Sequence, residues 1–217
     1  MLGKVMTRTT VAISGFSSDA GKTTLLCELL RAFPGWEAIK ITRGHYRSCG
    51  KDPRACCVSH LLGNEPLIRS GRAETYEPGK DTGRYWDAGA SNVHWLIVTD
   101  NQVERGVRLA LERVRASGVF IEGTSFLRYL SVDFALMAAR PAGGKVKPSA
   151  RRALAKTSAL YLFGADQEKA ASAREQFAAW RQTSADAGLL NNLPVYTSQD
   201  LPQLVARLRA IHAAVAA

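Results

Sequence analysis

Residues 14–26 read SGFSSDAGKTTLL, and the fold turns on how that stretch is parsed. Upstream, residues 10–16 (TVAISGF) are apolar and β-branched, the pattern of a buried strand. Downstream, residues 21–33 (GKTTLLCELLRAF) set Leu25, Leu29 and Leu30 on one side of a helix, closed by Pro34 and Gly35. A strand, a glycine-bearing turn and a helix opening with Gly21, Lys22, Thr23 and Thr24 make a phosphate-binding loop. The first N–H groups of a helix have no partner within it, and together with the helix dipole they attract an anion. Gly21 lets the backbone curl against the anion. Lys22 reaches β- and γ-phosphate oxygens, and the Thr23 hydroxyl is placed for Mg²⁺. The usual spacing, G-x-x-x-x-G-K-[ST], would put glycine at position 16. Phe16 stands there, and Gly15 is one position early. Small Ser17, Ser18 and Ala20 are expected to supply the curl.

Working outward, residues 36–43 read as a second strand and residues 93–100 as a third. A helix is expected over 101–117, strands over 118–125 and 132–141, and a basic loop with a short helix over 143–158. A strand over 159–165, a helix over 166–188, a short strand over 194–198 and a terminal helix complete the pattern. Strands alternating with helices predict a three-layer α/β fold with a mostly parallel sheet of about seven strands. One domain over residues 1–217 is expected. Residues 44–92 lose the periodicity and read as an irregular insertion or switch region, with a short helix at 53–63.

The formal charge is +10, which favours anionic partners such as nucleotides. Lys and Arg are scattered, and aromatic RNA-binding signatures are absent, so nucleic acid is not the expected partner. No run approaches the roughly 20 apolar residues that span a bilayer. The first ten residues lack the apolar core of a secretory signal, so a cytoplasmic protein without a membrane role is expected.

A triphosphate site needs acidic residues for metal and water. Glu122 ends an apolar strand (VFIEGTS, residues 119–125), where ligands meet a doubly wound sheet. Asp19, inside the loop, is a second candidate for polarising water.

Four segments carry a family resemblance: AGKTTLL (20–26), AIKITRGHY (38–46), PGKDTGRYWDAGAS (78–91) and VFIEGTS (119–125). The chain resembles the molybdopterin-guanine dinucleotide biosynthesis adaptors of the MobB type. These are P-loop GTPases in the class that includes dethiobiotin synthetase and the nickel-enzyme maturation GTPases. The loop itself makes Gly15, Ser17, Ser18, Ala20, Gly21, Lys22, Thr23 and Thr24 the expected phosphate-binding residues, and the resemblance adds Lys40 and Lys80. The resemblance implies Mg²⁺ at Thr23, Asp81 and Glu122, and catalytic roles for Lys22, Asp81 and Glu122, which join Asp19 of the loop. A homodimer and a cofactor-biosynthesis partner protein are implied as well. No Asn-Lys-x-Asp set reads guanine, and Asp166 is the acidic candidate in that region. GTP is therefore implied by resemblance alone, and ATP stays open.

Cys49, Cys56, Cys57 and His60 crowd the insertion. On a helix Cys56 and His60 share a face, and thiolates with imidazole suit Zn²⁺ or an iron–sulfur centre; buried structural thiols are the plainer alternative. Lys145, Lys147, Arg151 and Arg152 form a basic cluster that either faces solvent or holds an anionic substrate. The expected function is a Mg²⁺-dependent purine nucleoside triphosphatase, an accessory in cofactor or metalloenzyme maturation. The alternatives are a small-molecule kinase or ATP-dependent ligase resembling dethiobiotin synthetase, and a metal-binding adaptor with a vestigial nucleotide site.

Overall fold

A computed structural model describes residues 8–44, 58–164 and 170–217. The elements run β1 (Thr9–Gly15), α1 (Lys22–Ala32), β2 (Glu37–Arg43), β3 (Leu67–Ser70), α2 (Arg72–Thr75), α3 (Asp81–Asp87), β4 (Val93–Val98) and α4 (Val103–Arg113). They continue with β5 (Gly118–Glu122), β6 (Phe134–Ala139), α5 (Pro148–Ala153), β7 (Ala159–Leu162), α6 (Ala170–Thr183), α7 (Ala187–Leu190), β8 (Val195–Tyr196) and α8 (Leu201–Ala216).

Among the described residues these strands form an eight-stranded sheet in the order β3-β4-β2-β5-β1-β6-β7-β8. Every pairing is parallel except that of β3 on β4. The central strands alternate between two apolar faces. Val11 and Ile13 of β1 pack with Leu25 and Leu29 of α1 and Leu204 of α8. Ala12 packs on the opposite side, in the layer with Val107 of α4, Ala150 of α5 and Phe177 of α6. Burial on both faces is what makes a parallel strand read as a continuous apolar run. The register sets Ile13 and Lys40 on either side of Glu122, so β5 ends between β1 and β2, which run on to Gly15 and Arg43. After β1 the chain turns to the α1 layer, and after β5 to the α4 layer. Such a divergence opens a crevice at the strands' carboxyl ends.

A buried polar staple ties the far end of the sheet. Glu37 accepts backbone N–H bonds from Arg115 (2.8 Å) and Ala116 (2.9 Å). Its other oxygen lies 2.6 Å from His94 Nε2, and His94 Nδ1 lies 2.8 Å from Ser70 Oγ. It joins β2, β3 and β4 to the turn after α4.

The structure corrects several sequence expectations. The sheet has an eighth strand, β3, and the described part of 44–92 carries α2 and α3 rather than irregular chain. β3 is four half-buried residues without alternation, too short to announce itself. Of the helix expected over 53–63, only 58–63 is described, and there Ser59–Leu61 form a 3-10 turn. The 101–117 helix stops at Arg113, where Val114 turns extended and buries itself. The late helix is interrupted after Thr183, with α7 a separate turn. Among the described residues no helix is long and apolar enough to cross a membrane.

Candidate functional site

The turn between β1 and α1 is built as the sequence requires, with its glycines doing different jobs. Gly21 has φ +86°, and a Cβ there would lie 2.0 Å from the Phe163 ring. Only glycine accepts both the left-handed backbone and the ring. At Gly15 a Cβ would come within 3.1 Å of Lys22 Cγ and Cδ. The missing side chain therefore makes room for the lysine stem, which explains a glycine one position ahead of the usual spacing. Phe16 turns away and packs against Phe177 and Trp180. The Lys22 ammonium curls into the turn and donates to the carbonyls of Ser17 (2.9 Å) and Ser18 (2.8 Å). Lys147 Nζ donates to Ser18 Oγ (2.6 Å), and Arg140 Nε to the Asp19 carbonyl (3.1 Å). Arg140 also lies over the Phe163 ring, 5.1 Å from its centroid.

Glu122 is the hub of the acidic side. Its carboxylate accepts from Thr23 Oγ1 at 2.8 Å, from Lys40 Nζ at 2.5 Å and from the Tyr85 hydroxyl. Lys40 is shared, pairing with Asp81 at 2.5 Å as well. The two carboxylates differ in access: Glu122 is 3% exposed and Asp81 40%. Asp81 opens α3, and Tyr85 follows one turn later, so one short helix brings both residues to the site. Arg84 of that helix donates to Thr24 Oγ1 at 3.1 Å.

Electrostatics follow from burial and neighbours. Burial lowers the pKa of Lys22, opposed by Glu122 and reinforced by Lys40 and Lys147. Burial alone would lower Lys40 too, but Glu122 and Asp81 outweigh it and hold that ammonium above the ordinary lysine value. For Asp81, burial pushes up, and Lys40 with its hydrogen bond pulls the carboxyl below the usual range. Burial, then the negative charge of Glu122, raises the Tyr85 phenol well above its usual value, so it stays a donor.

These groups border a cleft of about 660 Å³. Of the residues expected from sequence, Gly15, Ser17, Ser18, Asp19, Gly21, Lys22, Thr23, Thr24, Lys40, Asp81 and Glu122 line it. Ala20 is buried beneath the turn, and Lys80 is exposed just before α3 without lining the cleft. Residues that sequence reading missed are Tyr85, Arg43, Arg84, Arg140 and Phe163, brought in from other elements. Lys147, read as a basic surface residue or an anion contact, borders the cleft. Cys49, Cys56, Cys57 and Asp166 lie outside the described residues, and His60 is exposed. Among the described residues no cluster of three or more His, Cys, Asp or Glu is placed to hold a metal.

A comparison of folds finds the crystal structure of HypB from Helicobacter pylori in complex with nickel. The TM-score is 0.54 at 13% identity, over 96% of this chain and 89% of that one. The α/β fold with its mostly parallel sheet is thus shared at the level of architecture. No family model and no curated protein matches the sequence.

Proposed function

We propose that the chain binds a purine nucleoside triphosphate with Mg²⁺ and hydrolyses it, as an accessory in maturing a molybdopterin-type cofactor or a metalloenzyme. The observation that carries this reading is the meeting of Thr23, Lys40, Asp81 and Glu122 beside the Gly21–Lys22 turn. A hydroxyl and two carboxylates form an all-oxygen donor set, which suits a hard divalent ion. Mg²⁺ held by Thr23, Asp81 and Glu122 would supply neutralising charge to the β- and γ-phosphate oxygens.

The chain's own groups do the rest. Amides of the turn hold the phosphates, and Lys22 meets the charge that grows on them during transfer. Water attacks the γ-phosphorus, forming one P–O bond as the bond to the bridging oxygen breaks, and leaves nucleoside diphosphate and inorganic phosphate. Asp81, ionised and more open than Glu122, orients that water, with Asp19 at the cleft rim. Lys40 keeps Glu122 and Asp81 close together despite their like charge. Residues 1–217 act in this reading as one domain that pairs as a homodimer, with the segment holding Asp81 as its switch. The fold shared with a nickel-bound protein supports the metalloenzyme arm.

Titrating ATP and GTP in Mg²⁺ and measuring phosphate release tests the reading. Saturable binding with release in the absence of any second substrate is expected. No binding of either nucleotide favours an adaptor with a vestigial site. Binding whose turnover appears only with an added acceptor favours a kinase.

A further inference from the structure

A second pocket of about 90 Å³ opens beside the cleft, on the α4–α5 side, and shares Arg43, Ser125 and Ser149 with it. Arg128, Arg152 and Asp100 complete its polar lining. Asp100 pairs with Arg43 at 3.1 Å. Among the described residues Arg128 makes no hydrogen bond or ion pair and lies 5.5 Å from the Tyr129 ring centroid. Among the described residues Arg152 makes no hydrogen bond or ion pair. Three arginines and a single carboxylate therefore line this pocket, and among the described residues two positive charges are left without a paired carboxylate. Like charges gathered at one recess repel unless an anion joins them. The space equals that of about three waters, enough for a tetrahedral oxyanion. Guanidinium forks match phosphate oxygens two at a time, and Ser125 and Ser149 add hydroxyls on the side toward the triphosphate.

We propose that this arginine pocket binds the phosphate group of a second ligand, a phosphomonoester held beside the triphosphate. The proposal deepens the nucleotide reading and rests on it for what lies next door; the pocket's own chemistry stands without it. A dianion satisfies both spare charges, whereas a carboxylate satisfies one. The shared Ser125 and Ser149 make the two spaces continuous, so the ligand's body extends into the cleft that Lys22 and Lys147 also line.

The test titrates inorganic phosphate, phenyl phosphate and acetate into the full chain saturated with Mg²⁺ and a non-hydrolysable nucleotide analogue, read by calorimetry. Both phosphates are expected to bind and acetate to bind about tenfold more weakly or not at all. The double variant Arg128→Ala/Arg152→Ala alters two exposed side chains and is expected to weaken phosphate binding about tenfold or more with analogue affinity unchanged. Phosphate that competes with the analogue, binds the double variant as well as wild type, or binds no better than acetate overturns the proposal. Binding of inorganic phosphate with exclusion of phenyl phosphate overturns the phosphomonoester assignment. If the analogue itself fails to bind, the nucleotide reading falls, and the phosphate titration is repeated on nucleotide-free protein. Loss in the arginine variant but not in Lys22→Ala then supports the pocket, and the reverse overturns it.

Discussion

At the scale of single residues, the site turns on one glycine, one lysine and one carboxylate. Lys22→Ala is expected to abolish triphosphate binding in calorimetry while leaving the melting temperature near wild type, because among the described residues the ammonium donates to loop carbonyls alone. Gly21→Ala forces a Cβ into Phe163 at a positive φ, so both nucleotide affinity and thermal stability should fall. Glu122→Gln keeps the shape but removes the charge facing Lys40. Phosphate release should drop by about 10²-fold or more, in line with losing a positioned catalytic carboxylate. Wild-type turnover in that variant would refute the role of Glu122. The pH dependence runs in two directions. The depressed pKa of Asp81 gives stability present above the unfolded carboxyl value of about 4, lost as pH falls through the folded value. The raised pKa of Lys40 gives stability present below about 10.4, lost as pH climbs through its folded value. Urea melts across pH should show both shoulders, and Lys40→Met should erase the alkaline one.

At the scale of elements, the staple at the far end of the sheet predicts its own acid sensitivity. Burial pushes Glu37 up, but bonds from His94, Arg115 and Ala116 prevail and its pKa is lowered. Glu37→Gln replaces one acceptor oxygen by a donor and leaves buried N–H or imidazole groups unpaired. The expected loss is about 1–3 kcal/mol in urea unfolding at neutral pH, shrinking as pH falls toward 3. Elements also mark how far the sequence could be read. Residues 14–26 disclosed the turn because strand, glycine and helix signals are contiguous, and β5 disclosed Glu122 by ending an apolar run on an acid. Asp81 is legible only through the resemblance, since α3 contains a glycine and is only seven residues long. Arg140 and Phe163 carry no motif; each directly follows a strand, β6 or β7, that ends beside the loop. Arg84 and Tyr85 fall within residues 78–91, where nothing in the pattern tells which side chains of α3 reach the site. β3 went unread because four half-buried residues between a proline and a glycine have no period to detect.

At the scale of the whole molecule, a surplus of ten positive charges should steer polyanions toward the cleft. Nucleotide association rates are expected to fall as salt rises from 50 to about 500 mM, while an uncharged nucleoside shows no such trend. Stopped-flow binding checks this. The edge strand has one further consequence. Leu62 packs over Gly44, the residue after Arg43 of the cleft lining, and β3 then runs backwards along the edge of the sheet to Ser70. The chain comes back to the cleft at Asp81. Residues 62–81 thus form a drawstring whose two ends both lie near the mouth, with β3 as its middle length. An occupant that grips Asp81 tightens the cord, and the amides of Leu67 to Arg69, whose strand pairs only with β4 among the described residues, should exchange with deuterium more slowly when nucleotide is present.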